Sequence, residues 1–155
     1  GGAGHGIDFS EQVHSPASGA SSSGEVLDHY EEGTFTFTTA NANIANPSTI
    51  RNKLYTRVGR LVHVEAEIVF GSMSSNDQCL VAGMPFPTSG INTYRNVSTN
   101  LAGNANIEGL YVYQLNNDSG LRFYRGDSGG FDIVSYTNLS GKTVTLQITY
   151  QTDAA

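Results

Sequence analysis

Apolar and polar residues alternate with a period of two along most of the chain after residue 33. The clearest run is LVHVEAEIVF at 61–70, where Val, Ala, Ile and Phe fall on one face and His and Glu on the other. TVTLQITY at 143–150 repeats the pattern, and TFTFT at 34–38 places two phenylalanines opposite threonines. Strict alternation is typical of a strand with one buried face. Each run therefore predicts a half-buried β-strand.

Shorter apolar runs between these strands complete the pattern. Val58-Gly59-Arg60 lies between two of the runs and predicts a β-hairpin. About eight or nine short, regularly spaced strands without a long helix are typical of a β-sandwich. We therefore predict an all-β fold, an antiparallel β-sandwich of the jelly-roll kind, over residues 33–155. The shorter runs are KLYTRV, CLVAG, NTYRNVST, GLYVYQL, LRFYR and FDIVSY.

The N-terminal part has a different composition. Residues 1–24 consist mostly of Gly, Ser and Ala and cannot bury a core of their own. We therefore predict that residues 1–32 form a stalk or linker, largely extended, ahead of the sandwich. Ser22 and Glu25 have the spacing of a capping box, which predicts a short helical turn between residues 22 and 32.

Composition and charge exclude several function classes. The net charge is −6 and only 8 residues are Lys or Arg, so the chain lacks the basic patch that binds nucleic acid. No apolar run approaches the ~18 residues of a membrane span, so no membrane insertion is expected. Cys79 is the single cysteine, which excludes an intrachain disulfide and a cysteine-based zinc site. No metal-binding motif occurs, and we expect no cofactor.

The sequence RGDSGG at 125–130 contains two familiar motifs. Gly-Asp-Ser-Gly-Gly surrounds the nucleophile of trypsin-like proteases, and Arg-Gly-Asp is presented by many cell-adhesion ligands. A protease also needs a histidine base oriented by a carboxylate, and none of the four histidines stands in the Ala-Ala-His-Cys context of that family. Glycine and aspartate are typical turn residues. We therefore predict a hairpin turn without protease activity, in which Ser128 is a turn residue.

Glu65 and Glu67 form the clearest pair of carboxylates. Two residues apart on a strand, they face the same way at a separation of about 7 Å. Glycosidases use carboxylate pairs at such distances. The favoured interpretation is two solvated charges on the polar face of a strand.

Three segments in order resemble the C-terminal region of bacteriophage tail fibres and tailspikes. They are YEEGT at 30–34, YTRVGRLVHV at 55–64, and GMPF at 83–86, where Met84 replaces a leucine. The resemblance covers roughly residues 6–90. It implies a homotrimer at the tip of a virion tail fibre that binds a bacterial surface glycan. Many members continue into a self-cleaving chaperone domain, whereas this sequence stops at Ala155.

We therefore expect a non-enzymatic receptor-binding domain whose partner is a host cell-surface polysaccharide or lipopolysaccharide. Two other hypotheses stay open: a glycan-degrading tailspike domain and a purely structural virion module. Trimer formation also agrees with the apolar residues of the N-terminal segment, which need partners because that segment has no core. These residues are Ile7, Phe9 and Val13.

A candidate glycan site follows from the alternation of GLYVYQL at 109–115. One face carries Leu, Val and Gln, and the other carries two tyrosines and a leucine. Aromatic rings pack on the C–H faces of a pyranose, and amides and carboxylates in adjacent turns bind its hydroxyl groups. The alternative is that the tyrosines are core or trimer contacts, because folding usually buries aromatic rings. The candidate site residues are Tyr111, Tyr113, Asn116, Asn117, Asp118, Tyr124 and Asp127.

Overall fold

The computed structural model describes residues 7–8, 26–27, 30–39, 49–90, 95–96, 98–102, 107–115, 117–127 and 130–153. Almost all regular structure in these ranges is β-strand. The elements in chain order are β1 (Ile7–Asp8), β2 (Val26–Leu27), β3 (Tyr30–Thr34), β4 (Thr38–Thr39), β5 (Thr49–Val58), β6 (Leu61–Val69), β7 (Leu80–Ala82), β8 (Arg95–Asn96), β9 (Ser98–Ala102), β10 (Leu110–Gln114), β11 (Leu121–Asp127), β12 (Gly130–Ile133), α1 (Tyr136–Leu139) and β13 (Thr143–Gln151).

The strands form two large antiparallel sheets. Sheet I has the order β3-β5-β6-β13-β9, and sheet II has the order β4-β7-β11-β10-β8, with β12 pairing to β11. Strands β1 and β2 pair with each other in a separate two-stranded sheet. The predicted all-β fold with an antiparallel β-sandwich is therefore confirmed. The jelly-roll connectivity and the boundary between stalk and sandwich stay predictions.

The core lies between the inner faces of the two sheets, and the period of two decides which residues enter it. On β6 the burial alternates strictly from Val62 to Ile68, with His63 and the two glutamates on the other face. β13 alternates in the same way. Phe70 contacts Phe123 of sheet II with ring centroids 6.0 Å apart and the planes nearly perpendicular. Each fully buried side chain of this size contributes roughly 1.5–3 kcal/mol of transfer free energy.

The predicted hairpin at Val58-Gly59-Arg60 is confirmed. Val58 pairs with Leu61 as the last step of the β5–β6 ladder. Gly59 has a φ of 57°, in the left-handed region that glycine adopts at little steric cost. The guanidinium of Arg57 donates to the Gly59 carbonyl at 2.8 Å and so braces the turn from the inner side.

The run TFTFT does not form the single strand that its alternation predicts. Thr34 ends β3 in sheet I, and Thr38 begins β4 in sheet II. Phe35 and Phe37 lie between them and are buried, with their rings edge to face at 4.8 Å. The alternation correctly predicts the two buried rings. The prediction of one strand is wrong because the chain crosses from one sheet to the other within these residues.

The predicted helical turn between residues 22 and 32 is wrong for the residues described in that range. Residues 26–27 and 30–32 lie in β2 and β3, and β3 forms a five-residue ladder with β5. Ladder bonds along a strand outweigh a lone capping-box spacing.

The helix of the described residues is α1, which starts at a capping box. Ser135 accepts from the Asn138 amide at 3.3 Å, and the Asn138 side chain accepts from the Ser135 amide at 3.0 Å. Tyr136 and Leu139 point into the core. Within the described part of the chain, no helix is long and apolar enough to cross a membrane.

Cys79 lies in the core beside β7 and is fully buried. Burial raises the pKa of its thiol to about 12, so the reactive thiolate is scarce at neutral pH. We expect native protein to resist a thiol reagent at pH 7.5, whereas protein unfolded in guanidinium reacts at once. Rapid labelling of the folded protein, followed by mass spectrometry, would contradict this burial.

Candidate functional site

Four aromatic side chains lie together on the outer face of sheet II. We call this cluster the aromatic surface, and it consists of Tyr111 and Tyr113 on β10, Tyr124 on β11 and Phe131 on β12. Their placement follows from the pleat, because successive side chains of a strand point to opposite faces. The strand neighbours that point inward are fully buried and hold each strand on the core; they are Val112, Gln114 and Phe123.

The rings of the aromatic surface contact one another across the strands. Tyr111 pairs in register with Tyr124, and their rings stack with centroids 5.7 Å apart and an angle of 17°. The ring of Tyr113 packs edge to face on that of Tyr124, with centroids 5.7 Å apart and an angle of 67° between the planes. Phe131 extends the cluster, 5.6 Å from Tyr111 at 71°. Aromatic pairs in these arrangements contribute about 0.5–1.5 kcal/mol each beyond the area that they bury.

The three predicted tyrosines are therefore brought together by the fold. All three are half-buried on the outer face, so the alternative that they belong to the core is wrong. The alternative that they contact another copy of the chain stays open. Partial burial, followed by the neighbouring Tyr124, raises the pKa of Tyr111 above its usual value. Its hydroxyl is therefore protonated at neutral pH and can both donate and accept hydrogen bonds.

Phe131 belongs to this surface and Ile133 lies beside it, but neither was predicted as a site residue. Phe131 is 79% exposed and Ile133 is 51% exposed, and they pair in register with Gly126 and Tyr124. Large apolar side chains left open on one face commonly mark an interaction site. The alternation of FDIVSY contains this signal, but it does not say which of its two faces points to solvent.

Arg122 is a second residue that sequence analysis missed. It pairs in register with Tyr113, so both side chains lie on the outer face of sheet II. Its guanidinium donates to a carboxylate oxygen of Asp118 at 2.7 Å. A guanidinium carries five N–H groups in a planar fork. Arg122 therefore offers hydrogen-bond donors at the end of the aromatic surface, fixed in place by the ion pair.

Asp118 is linked to the aromatic surface by its ion pair with Arg122. Its other contacts stabilise the turn before β11. Its other carboxylate oxygen accepts from the Gly120 amide at 2.9 Å. Its carbonyl accepts from the Thr88 amide at 3.1 Å and from the Gln114 side chain at 2.9 Å. Asp118 thus joins two neighbouring loops and orients the guanidinium.

Asn117 is a further predicted site residue, and it lies in the turn after β10. Asn117 has a φ of 52°, donates its amide to the Thr88 carbonyl at 3.1 Å, and directs its side chain towards Gly90. Asn116 lies outside the described residues. Asp127 ends β11, and its side chain also lies outside the described part.

The GDSGG segment joins two antiparallel strands, as predicted. Asp127 pairs with Gly130, so residues 128–129 connect β11 to β12. Ser128 itself lies outside the described residues. Of the four histidines, the structure describes His63, which lies in sheet I and contacts Thr149 at 3.0 Å. The segment and this histidine are therefore on different sheets.

The carboxylate pair lies on the opposite side of the sandwich from the aromatic surface. Glu65 accepts from Gln147 at 3.2 Å on the outer face of sheet I. Glu67 is two residues further along the same strand and faces the same way. Among the described side chains, no group of three or more His, Cys, Asp or Glu is placed to hold a metal ion.

Comparisons with protein-family models, with curated proteins and with solved structures found no match for this chain.

Proposed function

We propose that this chain is a non-enzymatic receptor-binding domain at the tip of a phage tail fibre, which attaches to a glycan on the host cell surface. The observation that carries the proposal is the aromatic surface. Four rings contact one another on a face that folding leaves open, while the alternate residues of the same strands fill the core. The sequence resemblance supports the same function.

The chemistry of this surface suits a polysaccharide. The partly exposed rings offer apolar surface, the tyrosine hydroxyls donate and accept hydrogen bonds, and Arg122 adds donors at one end. Successive ring centroids are 5.6–5.7 Å apart, so the cluster extends over more than one sugar unit. A cell-surface polysaccharide or lipopolysaccharide is the partner that fits these features. The net charge of −6 disfavours a nucleic acid.

A glycan-degrading domain is the second hypothesis, but the carboxylate pair of Glu65 and Glu67 is poorly placed for cleavage of a glycan on the aromatic surface. A glycosidase needs two carboxylates on either side of the bound glycosidic bond. Glu65 and Glu67 lie in sheet I, whereas the aromatic surface lies in sheet II. A polysaccharide on the aromatic surface would therefore not reach them. This separation favours attachment over cleavage.

The proposal includes a homotrimer in the virion, as the resemblance implies. Residues 1–29 precede the first strand of the sandwich, and their composition cannot provide a core within one chain. Association through this segment would place several aromatic surfaces on one fibre tip. Weak single sites then act together, since linked sites raise the effective concentration of the second contact.

The proposal is tested by comparing wild type with Tyr111→Ala and Tyr113→Ala on a glycan array and on host cells. We expect each variant to lose about tenfold or more in affinity, ~1.4 kcal/mol, while its melting temperature changes little. Incubation of the bound oligosaccharide with wild type serves as the cleavage control, and intact oligosaccharide is expected.

Lower melting temperatures with unchanged binding per folded molecule would contradict the glycan site, because the tyrosines would then be structural contacts. Shortened oligosaccharides would favour the glycan-degrading hypothesis instead.

A further inference from the structure

A second exposed apolar cluster lies on the outer face of sheet I. Tyr30, Val58 and Leu61 follow one another in register across β3, β5 and β6. Their exposed fractions are 63%, 39% and 49%. We call these three residues the apolar row. Single exposed apolar residues are ordinary on protein surfaces, but here three neighbouring strands contribute adjacent ones.

The surroundings of the apolar row are polar. The next outward-facing positions on the same three strands are Glu32, Thr56 and His63. Tyr30 donates its hydroxyl to the Glu32 carboxylate at 2.5 Å. An apolar centre with a polar border is the composition of a protein–protein contact.

The position of the row in the chain indicates what covers it. Tyr30 is the first residue of β3, so residues 1–29 reach the sandwich at this row. If copies of the chain associate through those residues, as the proposed function requires, their sandwiches meet first at the Tyr30 end. The aromatic surface lies on the other sheet and is left open to a glycan.

We propose that the apolar row is a contact between copies of this chain; this inference rests on the trimer of the proposed function. The row alone is too small for a stable assembly. A specific interface buries about 800 Å² on each partner, far more than three partly exposed side chains provide. The row therefore adds to association through residues 1–29, and its loss should weaken the assembly in a concentration-dependent manner.

The test measures the mass of the full chain by light scattering and sedimentation over a range of concentrations. Leu61→Asp places a charge in the contact, and we expect the concentration at half-dissociation to rise about tenfold or more. Val58→Thr is a milder change that keeps a β-branched side chain of similar shape, and we expect a smaller rise in the same direction. It keeps the test valid if Leu61→Asp fails to fold.

Leu54→Asp is the matched control. Leu54 is 51% exposed on the outer face of the same sheet, but its neighbours in register are Thr34 and Glu65. We expect its assembly to equal that of wild type.

Unchanged assembly of Leu61→Asp and Val58→Thr would overturn the proposed contact, as would equal weakening by Leu54→Asp. If these two variants keep the wild-type mass but are cleaved faster within residues 1–29, the chain's own N-terminal segment covers the apolar row. That result would also overturn the proposed contact. A wild type that stays near 16.5 kDa at every concentration would overturn both the contact and the trimer.

Affinity for a soluble oligosaccharide, measured per protomer, separates this inference from the glycan site. We expect Leu61→Asp to bind like wild type. A chain that assembles but binds no glycan would contradict the receptor-binding function and leave the contact standing.

Discussion

Replacing Phe123 by alanine should lower the free energy of unfolding by about 3–5 kcal/mol. Phe123 is fully buried and packs edge to face on Phe70, at the centre of the contact between the two sheets. Its removal leaves a cavity that the surrounding strands cannot fill. Equilibrium unfolding in urea measures the loss directly.

Tyr124→Ala is the matched comparison, because Tyr124 is the next residue on the same strand and points to the other face. We expect it to lose about 1 kcal/mol, the scale of an aromatic pair contact, and to lose most of its glycan affinity. Phe123→Ala should bind normally at temperatures where it is folded. Equal losses of stability in the two variants would contradict the assignment of inner and outer faces.

Gly83→Ala should be strongly destabilising, with a loss of about 2–4 kcal/mol. Gly83 has a φ of 96°, and a Cβ at this position would overlap the backbone carbonyl oxygen of Thr36. Neither backbone segment can move easily, because Phe37 beside Thr36 is buried in the core. Thermal unfolding provides the measurement.

Gly59→Ala separates the cost of a positive φ from the cost of the steric overlap that a side chain at Gly83 would cause. Gly59 also has a positive φ, but a Cβ there would meet nothing within 4 Å. We expect a cost of about 1 kcal/mol, which reflects backbone conformation alone. If the two variants lost the same stability, the close approach of Gly83 to Thr36 would be wrong.

The sheet structure was predictable where alternation is strict and one face is buried. β6 and β13 satisfy both conditions, and their predicted inner faces are the inner faces of the structure. The elements that were predicted wrongly or missed have local causes. The alternation of Phe35 and Phe37 reports that both rings are buried, but it cannot reveal that the chain changes sheets between them. α1 depends on a capping box formed by Ser135 and Asn138, whose asparagine is a less common partner than glutamate.

The candidate site was predictable only within single strands. The spacing of Tyr111 and Tyr113 places both on one face without further information. Phe131 and Arg122 join the site through cross-strand register, which depends on how β11 pairs with β10 and β12. No pattern within one strand contains that register. Asn117 and Asp118 were predicted as ligand contacts because they lie in the turn directly after the tyrosine strand, whereas the structure uses both in bonds of the turn.

Chemical-shift mapping by NMR shows which face of the sandwich binds the glycan. The titrant is a soluble oligosaccharide from a strain that the wild-type chain binds, added to isotopically labelled protein. We expect changes concentrated on the backbone and ring signals of Tyr111, Tyr113, Tyr124 and Phe131, with no change at Glu65 and Glu67 on the opposite sheet. Changes centred on the outer face of sheet I, with the aromatic surface unaffected, would contradict the proposed glycan site.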